Sequence, residues 1–175
     1  MIKKILTVIG LVVVLILIYA AFKPGDFRVQ RSIAIQAPPE KIFPLINDFH
    51  QWPSWSPWEK LDPNMKRTLS GSPSGTGSIY EWDGNSKAGM GRMEITDSVP
   101  SSKVGIKLDF IKPMEGHNNV EFTLQPSGSS TNATWTMSGP LTYPGKLISV
   151  FMSMDKLIGS DFETGLNNMK AAAEK

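Results

Sequence analysis

The chain has 175 residues, 41% of them hydrophobic, with 18 basic against 16 acidic side chains and no cysteine. This length holds one domain with a proper core plus a short extra segment, and the lack of cysteine excludes any disulfide framework. Without Lys3, Lys4 and Lys23, residues 24–175 carry 15 basic against 16 acidic side chains, so no basic stripe marks a nucleic-acid partner.

Residues 5–22, ILTVIGLVVVLILIYAAF, are free of charge and flanked by lysines. As a helix they would run about 27 Å, close to a hydrocarbon core of about 30 Å. The run is longer than the apolar part of a signal peptide, and no A-x-A site follows. Residues 1–23 therefore read as a retained transmembrane anchor, with a cleaved signal peptide as the alternative. Basic residues stand on both sides of the span, and the short basic start favours a domain outside the cytoplasm, anchored in the cytoplasmic membrane. Residues 24–26 read as a linker and 27–175 as the folded domain.

The segment 27-FRVQRSIAIQA-37 alternates as a strand does, and Pro38 and Pro39 end it. A short helix follows over 39–48, with Ile42, Phe43, Leu45 and Ile46 on one face and Pro44 limiting its length. Next comes 49-FHQWPSWSPWEK-60, which holds three of the five tryptophans, with prolines between them. Six strand-like pieces then alternate with Gly, Pro and Ser turns: 65–70, 77–83, 90–98, 103–110, 118–125 and 132–139. Short connections between consecutive strands predict an antiparallel meander with one apolar face. Tyr80, Trp82, Met93, Phe110, Phe122, Trp135 and Met137 are phased inward, whereas Glu81 and Glu94 are phased toward solvent. A last helix is expected from Gly145 to Ala173, with Leu147, Phe151, Met154, Ile158, Phe162, Leu166 and Met169 as its apolar stripe. Gly159 and Gly165 mark close packing or a kink within it.

The pieces 31-RSIAIQAPPEKIFPLIND-48, 52-WPSWSPW-58, 79-IYEWDGN-85, 89-GMGRMEI-95, 135-WTMSGPL-141 and 158-IGSDFETGLNNMK-170, in this order and spacing, resemble the SRPBCC (START/Bet v1-like) superfamily in its polyketide cyclase/dehydrase-like branch. The resemblance implies an α+β helix-grip fold, a curved antiparallel sheet around a long C-terminal helix. It also implies a deep apolar cavity between the two, which members use for lipids, sterols, polyketides and other hydrophobic ligands. Membership does not fix a reaction.

Catalytic residues are not evident. His50 and His117 lack ligand spacing, so no metal or other cofactor is expected; Pro73 occupies the centre of 71-GSPSG-75, which is thus no nucleophile elbow. Glu81 and Glu94 would need a bulge to turn inward, and Tyr80 is placed either to orient a polar ligand group or to reach a backbone carbonyl. The expected protein is a membrane-anchored binder of a hydrophobic small molecule or lipid, without clear catalytic machinery. The alternative is a polyketide cyclase/dehydratase-like enzyme using the same cavity. The expected lining is Trp52, Trp55, Trp58, Tyr80, Trp82, Met93, Phe110, Phe122, Trp135, Met137, Phe151, Met154 and Ile158. In this frame the tryptophan segment caps one end of the cavity, with one indole inside and another at the rim.

Overall fold

A computed structural model describes all 175 residues. The chain opens with helix α1 (Ile2–Ala21), whose side chains are almost all exposed and which is long and apolar enough to cross a membrane. Strand β1 (Asp26–Ile35) leads to α2 (Pro39–Asn47), which has Pro39 in its first turn, where the missing N–H is not needed. Two 3₁₀ turns, Phe49–Ser54 and Pro57–Lys60, carry the tryptophan segment. Six strands follow: β2 (Lys66–Gly71), β3 (Ser78–Asp83), β4 (Met90–Val99), β5 (Lys103–Lys112), β6 (Gly116–Ser127) and β7 (Ser130–Pro140).

All seven strands form one antiparallel sheet in the order β1-β7-β6-β5-β4-β3-β2. The meander therefore ends beside the first strand, and β1 pairs with β7 from Asp26↔Pro140 to Ile35↔Thr131. Alternation decides the buried face: Val104, Ile106 and Leu108 of β5 point in, as do Val120, Phe122 and Leu124 of β6. Glu81 and Glu94 point away from this face, and Glu94 pairs with Arg92 at 2.8 Å.

The expected single helix over 145–173 is two helices. Helix α3 (Tyr143–Phe151) ends at Met152, whose backbone is extended, and α4 (Met154–Ala173) restarts behind Ser153, whose hydroxyl accepts from the Lys156 N–H. Helix α4 grips the sheet and packs chiefly along β1. Arg31 of β1 donates to Asp155 and Glu163, each at 2.7 Å, and Lys170 donates to the Ala34 carbonyl. Gly159 and Gly165 are buried close contacts within α4. Helix α3 has no buried residue; its main packing partner is α1, where the Tyr143 hydroxyl donates to the Leu17 carbonyl at 3.0 Å.

The interior is solid at one end, where Ile35, Ile42, Ile46, Ile95, Ile106, Leu166 and Met169 are fully buried. The other end, between the inner face of the sheet, the 3₁₀ turns and the first half of α4, is hollow.

Candidate functional site

The hollow is a cavity of about 230 Å³, and 15 of its 17 lining residues are hydrophobic, so its wall is that of an apolar-ligand site. Trp52 and Trp58 come from the 3₁₀ turns, Tyr80 and Trp82 from β3, Met93 from β4, Phe110 from β5, and Trp135 and Met137 from β7. Met154, Ile158 and Phe162, about one helical turn apart on α4, close the remaining side. Trp58, Ala88, Phe110, Met154 and Ile158 are half-buried and form the rim.

Three of the expected lining residues stand elsewhere. Trp55 is 1% exposed and Phe122 1% exposed, and both lie in the packed core behind the cavity wall. Phe151 is 73% exposed, because the helix break at Met152 takes it out of the stripe that α4 turns toward the sheet. Ser56, Glu59, Met65, Ala88, Leu108, Val120 and Phe162 line the cavity without having been singled out. The alternation that faces Phe110 and Phe122 inward does the same for Leu108 and Val120, two residues before each, and the helical stripe contained Phe162. Ser56 and Glu59 carried no such signal, since a 3₁₀ turn of four residues has no periodicity to read.

The tryptophan segment is a wall. The indole N–H of Trp52 donates to the Ile46 carbonyl at 3.1 Å and that of Trp55 to the Leu45 carbonyl at 2.7 Å, which fastens the first 3₁₀ turn to the end of α2. Trp135 is the hub: its ring stacks on Phe162 at 4.2 Å and Phe122 at 4.8 Å, and it meets Trp58 and Trp55 edge-on at 5.4 and 5.5 Å. This stack separates the solid core from the cavity. A Cβ on Gly165 would lie 2.8 Å from Trp135 Cζ3, so only glycine lets α4 approach the stack this closely.

One polar cluster touches the wall. Glu59 sits in the second 3₁₀ turn with its side chain 7% exposed. Tyr80 donates to Glu59 Oε1 at 2.5 Å, and Arg67 Nε donates to Oε2 at 2.7 Å. Arg67 also donates to the carbonyls of Met65 and Glu59, which holds the guanidinium against the buried carboxylate. Burial, and then the bond to Glu59, hold the Tyr80 hydroxyl well above the usual tyrosine range, so it stays protonated. The bond to Glu59 raises Arg67 further. Tyr80 therefore reaches a carboxylate, not the backbone carbonyl or ligand group that its phasing suggested.

The histidines lie outside this site. His50 is exposed, 2.7 Å from Asp48, and borders a shallow hollow with Leu69 and Pro73; His117 is exposed at the start of β6, 2.7 Å from Asp109.

Residues 26–174 match the family model described as polyketide cyclase / dehydrase and lipid transport. The chain belongs to that family. In fold, this member of the polyketide cyclase/dehydrase and lipid transport family is similar to protein CV1439 from Chromobacterium violaceum, at 14% identity and a TM-score of 0.58, over 87% of this chain and 99% of that one. It is also similar to the Aha1 dimer from Colwellia psychrerythraea, at 18% identity, a TM-score of 0.60, and 85% and 96% coverage. Ara h 8.0201 shares the fold at 10% identity and a TM-score of 0.56, over 86% and 96% of the two chains. Identities this low establish the helix-grip fold and nothing finer. No functionally curated protein matches the sequence.

Proposed function

We propose that the protein binds a hydrophobic small molecule or a lipid-derived one in this cavity, and that it does so beside a bilayer crossed by α1. The observation that carries the reading is the position of the cavity rim. Met154 and Ile158 of the rim begin α4, directly after α3, and α3 leaves the domain to pack on α1. Tyr143, Ile148, Phe151 and Met152 are exposed along or just after α3, which suits a helix lying at the apolar surface where α1 enters the membrane. A molecule dissolved in that leaflet would meet the rim without crossing water. The family match supports the binding role, the length of α1 supports a retained anchor, and the short basic start ahead of it suits a domain outside the cytoplasm.

The full chain, expressed and recovered from membranes, is expected to resist carbonate washing and to carry apolar molecules detectable by mass spectrometry after solvent extraction. Protein that is empty and takes up no apolar fluorescent probe would sink the binding role. Release by carbonate would sink the anchor alone.

The cluster of Glu59, Tyr80 and Arg67 favours a second reading, a cyclase- or dehydratase-like enzyme. Against it, the Tyr80 proton is directed at Glu59 and held there, and Glu59 is already paired with Arg67. Neither group offers a proton or a free base to a ligand as the cavity stands.

A further inference from the structure

The register of the sheet decides which turns share an end. Strand β1 starts at Asp26 opposite Pro140, the last residue of β7; β5 and β6 close at Phe110↔Gly116, and β3 and β4 at Asp83↔Met90. The β3–β4 turn, the β5–β6 turn and the exit from β7 into α3 therefore lie at one end of the sheet, where the chain arrives from α1. Ala88 and Phe110 put the cavity rim at this end as well. Only four residues separate α1 from β1, and an extended chain covers at most about 3.6 Å per residue, so the rim end of β1 stays within roughly 18 Å of the end of α1.

The two ends differ in what their turns expose. At the far end the turns over 72–77, 100–102 and 128–129 consist of Ser, Pro, Gly and Thr, and Val99 stands exposed beside them singly. At the rim end the β5–β6 hairpin closes on Ile111 and Met114, 51% and 52% exposed, with Pro113 between them. Tyr143, three residues past β7, opens the apolar side of α3 at the same end. Charge gives the hairpin no other partner: over 109–117, Lys112 and His117 stand against Asp109 and Glu115, and His117 lies 2.7 Å from Asp109 and 3.4 Å from Glu115. Without an excess of basic groups it has no pull toward anionic headgroups, whereas its apolar tip suits the hydrocarbon edge of an uncharged leaflet.

We propose that the tip of the β5–β6 hairpin, Ile111 to Met114, dips into the leaflet that α1 enters, so that the bilayer meets the cavity mouth on two sides, at α3 and at this turn. Phe110 of the rim directly precedes the tip, so a molecule leaving the lipid between the two contacts reaches the cavity wall without entering water. The inference rests on the anchor and the binding role proposed above, and adds a second lipid contact and the way the mouth faces.

The test uses the full chain in phosphatidylcholine nanodiscs, with a bimane dye on one introduced cysteine and a nitroxide at headgroup depth on a fraction of the lipids. The Met114→Cys dye is expected to be quenched as strongly as a Phe151→Cys dye, and several-fold more than the same dye on Ser129→Cys in the exposed β6–β7 turn. Salt at about 1 M, where charges are screened within about 3 Å, is expected to leave that difference unchanged. A Met114→Cys dye quenched no more than the Ser129→Cys dye overturns the proposal, and so does quenching that salt abolishes. If the Phe151→Cys dye is still quenched in those cases, α3 lies on the bilayer and the binding role stands. If neither dye is quenched, the bilayer-facing rim falls together with the hairpin contact.

Discussion

Glu59 shows how much of this site depends on single side chains. Its two oxygens hold Tyr80 of β3 and Arg67 of β2 to the second 3₁₀ turn, so one carboxylate joins three segments of the wall. Glu59→Ala leaves the Arg67 guanidinium without its counter-charge, but that side chain is 31% exposed and water can partly replace the loss. The expected destabilisation is about 2 kcal/mol, below the range for a fully buried pair. Tyr80→Phe keeps the ring and the Glu59–Arg67 pair, and is expected to cost about 1 kcal/mol. Urea unfolding of both variants checks the order; a larger loss for Tyr80→Phe would mean that the phenol, not the ion pair, organises the wall. Away from the cavity, the hydrogen bond to Asp109 holds His117 above its ordinary value of about 6.5. Burial alone would raise Asp109, but the bonds from His117 and Lys107 outweigh it and lower it. The His117 contribution is therefore full below about pH 6.5 and is lost as pH rises through its folded value. The Asp109 contribution is present above about pH 3.9 and is lost as pH falls through its own lowered value. Titration of the His117 ring by NMR is expected to give a midpoint above 6.5, returning to about 6.5 in Asp109→Asn.

At the level of elements, the strands were legible and the last helix was not fully so. Period-two alternation placed five of the six meander strands, since β3 to β7 each have one face on a dry interior; β2 is exposed at every residue, and the turn residues that follow it marked its end. The break at Met152 was hidden because Leu147, Phe151, Met154 and Ile158 keep helical spacing across it. The sequence did carry a cue: Ser153 with Asp155 two residues later is an N-terminal capping pattern. The two glycines of α4 turned out to be close contacts. Gly165→Ala would gain up to about 1 kcal/mol of helix propensity but push against Trp135 Cζ3 and, at 3.2 Å, Pro57 Cδ. A net loss of about 1–2 kcal/mol is expected from overpacking in thermal or urea unfolding. The exposed apolar side of α3 is tested by labelling, because the chain has no cysteine of its own. In nanodiscs, a single cysteine at Phe151→Cys is expected to resist a water-soluble maleimide that modifies the exposed Ser74→Cys at once. In detergent that can exchange from the surface, both should react. Equal labelling in nanodiscs would place α3 in water and detach the rim from the bilayer.

For the molecule as a whole, the grip leaves one end filled and the other hollow, and the amino-acid order alone could not say which. The inward list from alternation is the same for a solid core and for a cavity wall: Trp55 and Phe122 were as eligible as Trp52 and Trp82. What separates them is how the 3₁₀ turns fold back on α2, which follows from indole hydrogen bonds between residues six and ten positions apart. Glu59 escaped notice for the same reason, since its partners lie eight and 21 residues away on two strands. If the hollow exists for a ligand, filling it should separate function from stability. Met137 lies on β7, lines the cavity and is nearly buried, so Met137→Trp places a larger ring into empty space of about 230 Å³. In a close-packed core such a change costs about 1–3 kcal/mol. Here the added ring gains contacts that the empty wall lacks, and the melting temperature is expected to stay level or rise. Uptake of apolar probes should fall at least tenfold, because the ligand and the new indole compete for one volume. A variant that loses stability in proportion to its loss of binding would show that this end of the grip is ordinary core.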